Sequence, residues 1–197
     1  TIWGGEFLYV DPSDLTLERV GHFSPVRLPG GEAAVRQPWR MAVSYLKALG
    51  RDPLSLGLEW LRGREGQAAM VAAMVEKELN SPVTTSCGRL FDAVGALTGL
   101  TLETSYEGQA AIRLEHALDP AEKGAYPCPF SMGQGPGLVD TLTLFNHAAN
   151  DILCGASASA VSARFHNGLA SGLAQAAKRL CDHLGTKQVA LSGGVFL

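Results

Sequence analysis

Val161, Phe165, Leu169, Leu173, Ala176, Leu180 and Leu184 recur at steps of three and four. That period marks one face of a single helix of about seven turns, and Gly185 directly behind Leu184 supplies its stop. A helix so long, apolar down one side, needs a core along its whole length. The chain can build one, because 46% of its 197 residues are hydrophobic. Disorder is excluded for the bulk of it.

Other elements line up around that helix. Residues 2–10 and 17–23 read as extended, separated by Asp11-Pro12-Ser13-Asp14, whose aspartates can bond nearby backbone amides, so a hairpin is expected. Trp39, Ala42, Leu46 and Leu49 repeat at helical spacing between Pro38 and Gly50. Ala68, Val71, Val75 and Leu79 predict a helix over about 65–80, broken at Ser81-Pro82. Leu90, Phe91, Val94 and Leu97 give one face of a helix over 86–98, and 105–118 is another candidate, closing at Asp119-Pro120. Residues 121–137, rich in proline and glycine, predict a loop with a short strand near Cys128-Pro129-Phe130. A short strand ending at Asp140, then a helix to about Cys154, completes this half. Gln188-Val189-Ala190-Leu191 reads as a buried strand. The expectation is a helix-rich α/β chain whose sheet is incomplete, with 1–80 closing a first lobe and 81–197 giving part of a second.

Charge and motif content narrow the function. A net charge of -3 with only 18% charged residues gives no field that holds nucleic acid or an anionic membrane. No apolar run approaches the roughly 20 residues that span a bilayer, and no basic-then-apolar leader opens the chain. Cys87, Cys128, Cys154 and Cys181 form no C-x-x-C pair, which fits reduced thiols in a cytoplasm. His22, His116, His147, His166 and His183 include no i, i+4 pair, so no metal site within the chain is expected. His166, beside Phe165, is expected to bond a neighbouring loop or line a cleft. The chain opens on Thr1 and stops just past a glycine turn, and it reads as a piece of a longer protein.

The chemistry-bearing candidates involve glycine. At 100° per residue, Asp92 points away from the apolar face of Leu90, Val94 and Leu97, flanked by Gly88, Gly95 and Gly99. Each interior glycine costs about 0.5–1 kcal/mol relative to alanine, so something must approach that backbone closely. Either a ligand lies across a bare surface with Asp92 accepting bonds from its hydroxyls, or another helix packs there. Leu191-Ser192-Gly193-Gly194-Val195 is either a turn whose free amides face an anion or nucleotide, or an ordinary sharp turn. Tyr106-Glu107-Gly108-Gln109 opens a helix either with amides free for a polar ligand or with Ser105 as its cap.

Taken in order, Thr1-Ile2-Trp3-Gly4-Gly5-Glu6-Phe7, Gly30 to Arg40, Thr84 to Val94, Tyr106-Glu107-Gly108-Gln109-Ala110-Ala111, Ala163-Arg164-Phe165-His166-Asn167 and Leu191 to Phe196 resemble the carboxyl-terminal part of the HypF family. These are carbamoyltransferases of nickel–iron hydrogenase maturation, and the likeness runs the length of the chain. The resemblance implies part of an actin-like ATPase (ASKHA) fold of two lobes, similar to the tRNA threonylcarbamoyl transferase. It also implies a reaction in which carbamoyl phosphate and ATP yield carbamoyl-adenylate, whose carbamoyl group passes to the carboxyl-terminal cysteine of the partner HypE. That thiocarbamate goes on to the cyanide ligand of the hydrogenase iron.

Carried over by motif, Asp92 binds the nucleotide sugar hydroxyls, Gly108 lies against the nucleotide, and Gly193 and Gly194 form the adenosine-contacting turn. The family's metal-binding histidine motif is expected before Thr1, and an asparagine and an acidic phosphate or metal contact of the family past Leu197, so this stretch alone is expected to be a poor enzyme. Two other readings stand beside it: an antibiotic O-carbamoyltransferase, against which Ala34-Val35-Arg36-Gln37-Pro38-Trp39-Arg40 argues, and a non-catalytic helical module whose glycines only pack helices.

Overall fold

The computed structural model describes residues 2–11 and 13–195. Pro12 of the expected turn and Thr1 and Phe196 of the motif segments lie outside them. The elements run β1 (Glu6–Val10), β2 (Leu17–Phe23), β3 (Val26–Arg27), α1 (Glu32–Arg36), α2 (Trp39–Ala48), α3 (Glu65–Glu76), β4 (Val83–Thr84), α4 (Cys87–Leu97), α5 (Gln109–Ala117), β5 (Phe130–Ser131), β6 (Gly137–Val139), α6 (Thr141–Leu153) and α7 (Ala158–Leu184). Single 3-10 turns at Pro53–Ser55 and Glu59–Leu61 link α2 to α3.

The long stripe forms as expected. Ser157 caps α7 by accepting from the Ala160 N–H at 3.2 Å, and Gly185, in the left-handed region at φ 69°, ends it. The hairpin also forms, β1 antiparallel to β2 with Glu6 opposite His22, its turn held by the Asp11 carboxylate accepting from the Ser13 N–H at 2.8 Å. Strand β2 then runs parallel to β6, which pairs antiparallel with β5, giving the order β1-β2-β6-β5. A separate two-stranded pair joins β3 to β4.

Helix α4 is the hub of the core. It packs on α2, α5 and α6, and Phe91 meets Phe165 of α7 edge-on with ring centroids 5.1 Å apart. Tyr45 of α2 and Phe145 of α6 close the other side, 4.9 Å between rings. One hydrophobic core therefore runs from Phe23 to Leu180, continuous across residues 80 and 81. Among the described residues, no helix is long and apolar enough to cross a membrane.

Two elements depart from the sequence reading. Helix α3 ends at Glu76, and Leu79 is exposed, because the chain reverses through Glu78 and Asn80 in left-handed backbone. Gln188–Leu191 forms no strand: Val189 and Leu191 are more than half exposed. A strand needs a neighbour for its backbone groups, and the order β1-β2-β6-β5 sets none beside this stretch.

Candidate functional site

Asp92 sits on the second turn of α4, but not on a bare surface. Its residue is 5% exposed, and every residue of α4 except Gly88 is buried. The helical-wheel expectation fails because a wheel shows which positions are apolar, not how many neighbours surround the helix. With α2, α5, α6 and α7 on its sides, α4 has no wide solvent face.

The glycines divide accordingly. A Cβ on Gly95 would stand 3.2 Å from that of Ala110, so this glycine admits α5, which is the helix-packing alternative. Gly99 lies beyond the end of α4 and is exposed. Gly88 differs from Gly95: among the described residues a Cβ there would meet the Ser86 hydroxyl at 3.7 Å, an ordinary contact that does not require the lack of a side chain.

Asp92 has company that the sequence reading gave no role. The Arg89 guanidinium, on the same helix one turn back, brings Nη2 to 2.9 Å from Asp92 Oδ2. Arg89 is itself 9% exposed. The pair is close in charge but not aligned as a hydrogen bond: Asp92 Oδ2, Arg89 Nε and Arg89 Nη1 are all buried with no hydrogen-bond partner among the described residues. Burial pushes the Asp92 carboxyl up to about 6, against the pull of Arg89. Burial also raises the Tyr45 phenol, with Cys87 and Asp92 adding to the effect, so α2 contributes a hydroxyl to the same buried polar neighbourhood. Arg89 was legible only as a cation just after a glycine and three residues before a carboxylate.

Gly108 is where the second candidate falls. It precedes α5 in the left-handed region at φ 78°, exposed, with open space where a Cβ would stand. The helix begins at Gln109 rather than at 105, and Ser105 is not its cap. The Gln109 side chain instead reaches back to accept from the Ser105 N–H at 2.8 Å. Helix α5 packs on α4 through Ala110, two residues after Gly108, and Gly95, three residues after Asp92. Gly193 and Gly194 do form a turn, with φ 97° at Gly193, on an exposed stretch that belongs to no helix or strand.

The remaining candidates are structural. His166 turns to its own helix, Nδ1 donating to the Ser162 carbonyl at 2.7 Å, and its ring packs on Phe91. Arg164 clamps the loop before β5. Its Nε and Nη2 donate to Glu122 Oε2 at 2.9 and 2.6 Å, and Nη1 donates to Asp151 Oδ2 at 2.7 Å. The Tyr126 hydroxyl donates to the same Asp151 oxygen at 2.6 Å. Among the described residues no three His, Cys, Asp or Glu side chains are grouped to hold a metal ion.

Comparison with known proteins bears on all of this. The family described as "Carbamoyltransferase, Kae1-like Domain, second subdomain" matches residues 1–197. A carbamoyltransferase HypF of Rhizobium leguminosarum bv. viciae is 41% identical across the whole chain, which covers 24% of that protein. A HypF homolog of Cupriavidus necator is 38% identical, again across the whole chain and 51% of the relative. Full-length HypF, solved in a phosphate- and nucleotide-bound form, superposes with a TM-score of 0.86 at 28% identity over 98% of this chain and 25% of that one. HypF of T. kodakarensis superposes at 0.77 with 29% identity, over 98% of this chain and 26% of that one. The chain thus spans a quarter to a half of the length of these relatives, and on this match it belongs to the HypF carbamoyltransferase family, as the second subdomain of the Kae1-like domain.

Proposed function

We propose that this chain supplies nucleotide-holding surface to a carbamoyltransferase that works through carbamoyl-adenylate, made from carbamoyl phosphate and ATP. The observation that carries the reading is the buried Asp92–Arg89 pair with unused hydrogen-bonding atoms, beside the helix that Gly108 opens. Buried polar groups in native proteins are nearly always bonded. A carboxylate left with an idle oxygen suits a ligand carrying hydroxyls, and a ribose diol is such a ligand. In this reading Asp92 accepts from the sugar hydroxyls, Gly108 lets the nucleotide lie against the main chain, and Gly193 and Gly194 form the adenosine turn. The nucleotide-bound relative gives the reading its precedent.

The reaction asks little nucleophilic chemistry of this chain. The carboxyl-terminal cysteine sulfur of HypE attacks the carbamoyl carbon, a C–S bond forms, the C–O bond to the adenylate phosphate breaks, and AMP leaves with that oxygen while the thiol proton passes to solvent. Holding the adenylate in one orientation is the contribution of such a site. The fold completes as a two-lobed actin-like ATPase in a cytoplasmic protein, and the family's metal is bound by residues outside residues 1–197.

Asp92→Asn in the full natural protein tests this. Loss of charge-assisted bonds to two hydroxyls, at about 1.5–3 kcal/mol each, lowers adenosine affinity at least tenfold by calorimetry. Unchanged affinity refutes the assignment. An O-carbamoyltransferase would share the nucleotide result but would carbamoylate a sugar hydroxyl in place of the HypE thiol.

A further inference from the structure

We infer that Arg89 is a second ligand contact of this site, holding the phosphate chain of the nucleotide while Asp92 holds its sugar; the inference rests on the nucleotide reading of Asp92. Three observations lead there. The Arg89 guanidinium carries five N–H donors, yet Nε and Nη1 are buried without a partner among the described residues, and Nη2 stands 2.9 Å from Asp92 Oδ2. A structural arginine buried to this degree normally uses its fork fully, because each idle donor forfeits solvation without return. Second, the neighbouring Tyr45 and Cys87 supply no further anion: burial raises both, so Tyr45 stays a neutral phenol and Cys87, pushed up to about 12, stays a neutral thiol.

Third, access lies on the right side. Gly88, next to Arg89 and one turn before Asp92, is the one residue of α4 that is not buried, and among the described residues a Cβ there would meet the Ser86 hydroxyl at 3.7 Å, an ordinary contact. A ligand entering over Gly88 meets the guanidinium and the carboxylate together, which suits a molecule carrying an anion at one end and hydroxyls at the other. A planar fork facing a phosphate gives the paired donor geometry that a lysine cannot copy. Without ligand, Asp92 keeps Arg89 in place; with ligand, the two charges separate their tasks.

The test compares ATP with adenosine, which lacks the phosphates, on the full natural protein. Arg89→Met is expected to weaken ATP binding at least tenfold and leave adenosine affinity within about twofold. Arg89→Lys, which keeps the charge and the fold, is expected to lose severalfold for ATP and nothing for adenosine. In the wild type, raising salt lowers ATP affinity more steeply than in Arg89→Met. Equal losses for both ligands would show that Arg89 only orients Asp92 and would overturn the inference, as would unchanged ATP affinity in Arg89→Lys should Arg89→Met fail to fold. Failure of the underlying reading looks different: there Asp92→Asn leaves adenosine binding untouched.

Discussion

Two arginines on different helices show two kinds of ion pair, one with its hydrogen bonds complete and one with bonds left over. Arg164 on α7 is about one-third exposed, and three of its nitrogens donate to Glu122 and Asp151 at 2.6–2.9 Å. Arg89 on α4 is more deeply buried and has two nitrogens without a partner among the described residues. The better-satisfied arginine is the more exposed one. A clamp that only holds a loop finishes its bonds inside the protein, whereas a buried pair with bonds left over is an expense that a ligand can offset.

Breaking each pair should expose the difference. Removing one partner of the buried pair, as in Asp92→Leu, leaves Arg89 without a countercharge and is expected to cost about 3–5 kcal/mol in urea unfolding. The double variant Arg89→Met with Asp92→Leu should regain most of that, since apolar side chains of similar volume often replace a buried pair without loss, while nucleotide affinity stays low. A double variant as unstable as the single would mean that the pair is structural.

The pH dependence should run in opposite directions at the two sites. For Asp92 the folded carboxyl titrates at about 6, above its usual 3.8. The folded state therefore holds a proton there that the unfolded chain has released, and stability falls as pH rises from about 4 to 6, by about 3 kcal/mol at most. Asp151 goes the other way. Burial opposes its ionisation, but the bonds from Tyr126 and Arg164 win and hold its pKa below the usual value. Its contribution is present above pH 4 and is lost as pH falls through the folded value. Stability curves of the wild type and Asp92→Asn should differ in slope between pH 4 and 6 and coincide in slope below it.

The sequence made the helices of this fold more readable than their surroundings. Helix α2 was marked by Pro38 and Gly50, and α7 by its stripe and Gly185, because these residues act locally. What surrounds α4 was hidden, since periodicity records apolar positions and not neighbours. The hint was size: Ala93, Gly95 and Ala96 are all small, and small side chains beyond the expected core face signal a crossing helix such as α5. Val189 and Leu191 misled because a short apolar run makes a strand only where a partner edge exists. Asp92 stood out as a carboxylate among glycines, but Arg89 did not, because an arginine on a helix usually carries its charge out to water.

Glycines on the two helices sharpen the same contrast at smaller cost. On α7, a Cβ at Gly168 would collide with the Tyr126 carbonyl and stand 2.8 Å from Leu144 Cδ1; at Gly172 it would lie 2.6 Å from the Cys128 carbonyl oxygen. Gly168→Ala forces the loop off the helix, and the strain of about 1–3 kcal/mol outweighs the better helix propensity of alanine. The Arg164 clamp on the same loop, discounted for its exposure, contributes about 1 kcal/mol, so Arg164→Met should lower stability less than Gly168→Ala does.

Gly88→Ala is the smallest perturbation and the most discriminating. Among the described residues its new methyl makes an ordinary contact with the Ser86 hydroxyl at 3.7 Å, and the helix gains up to about 1 kcal/mol from losing a glycine. A protein that needed only a stable α4 would therefore do better with alanine. If the approach to Arg89 and Asp92 lies over this backbone, the variant melts at the same or a higher temperature yet binds ATP and adenosine more weakly, since the methyl obstructs the whole ligand and not one end of it. A gain in stability with undiminished binding would close that route and move the entrance elsewhere.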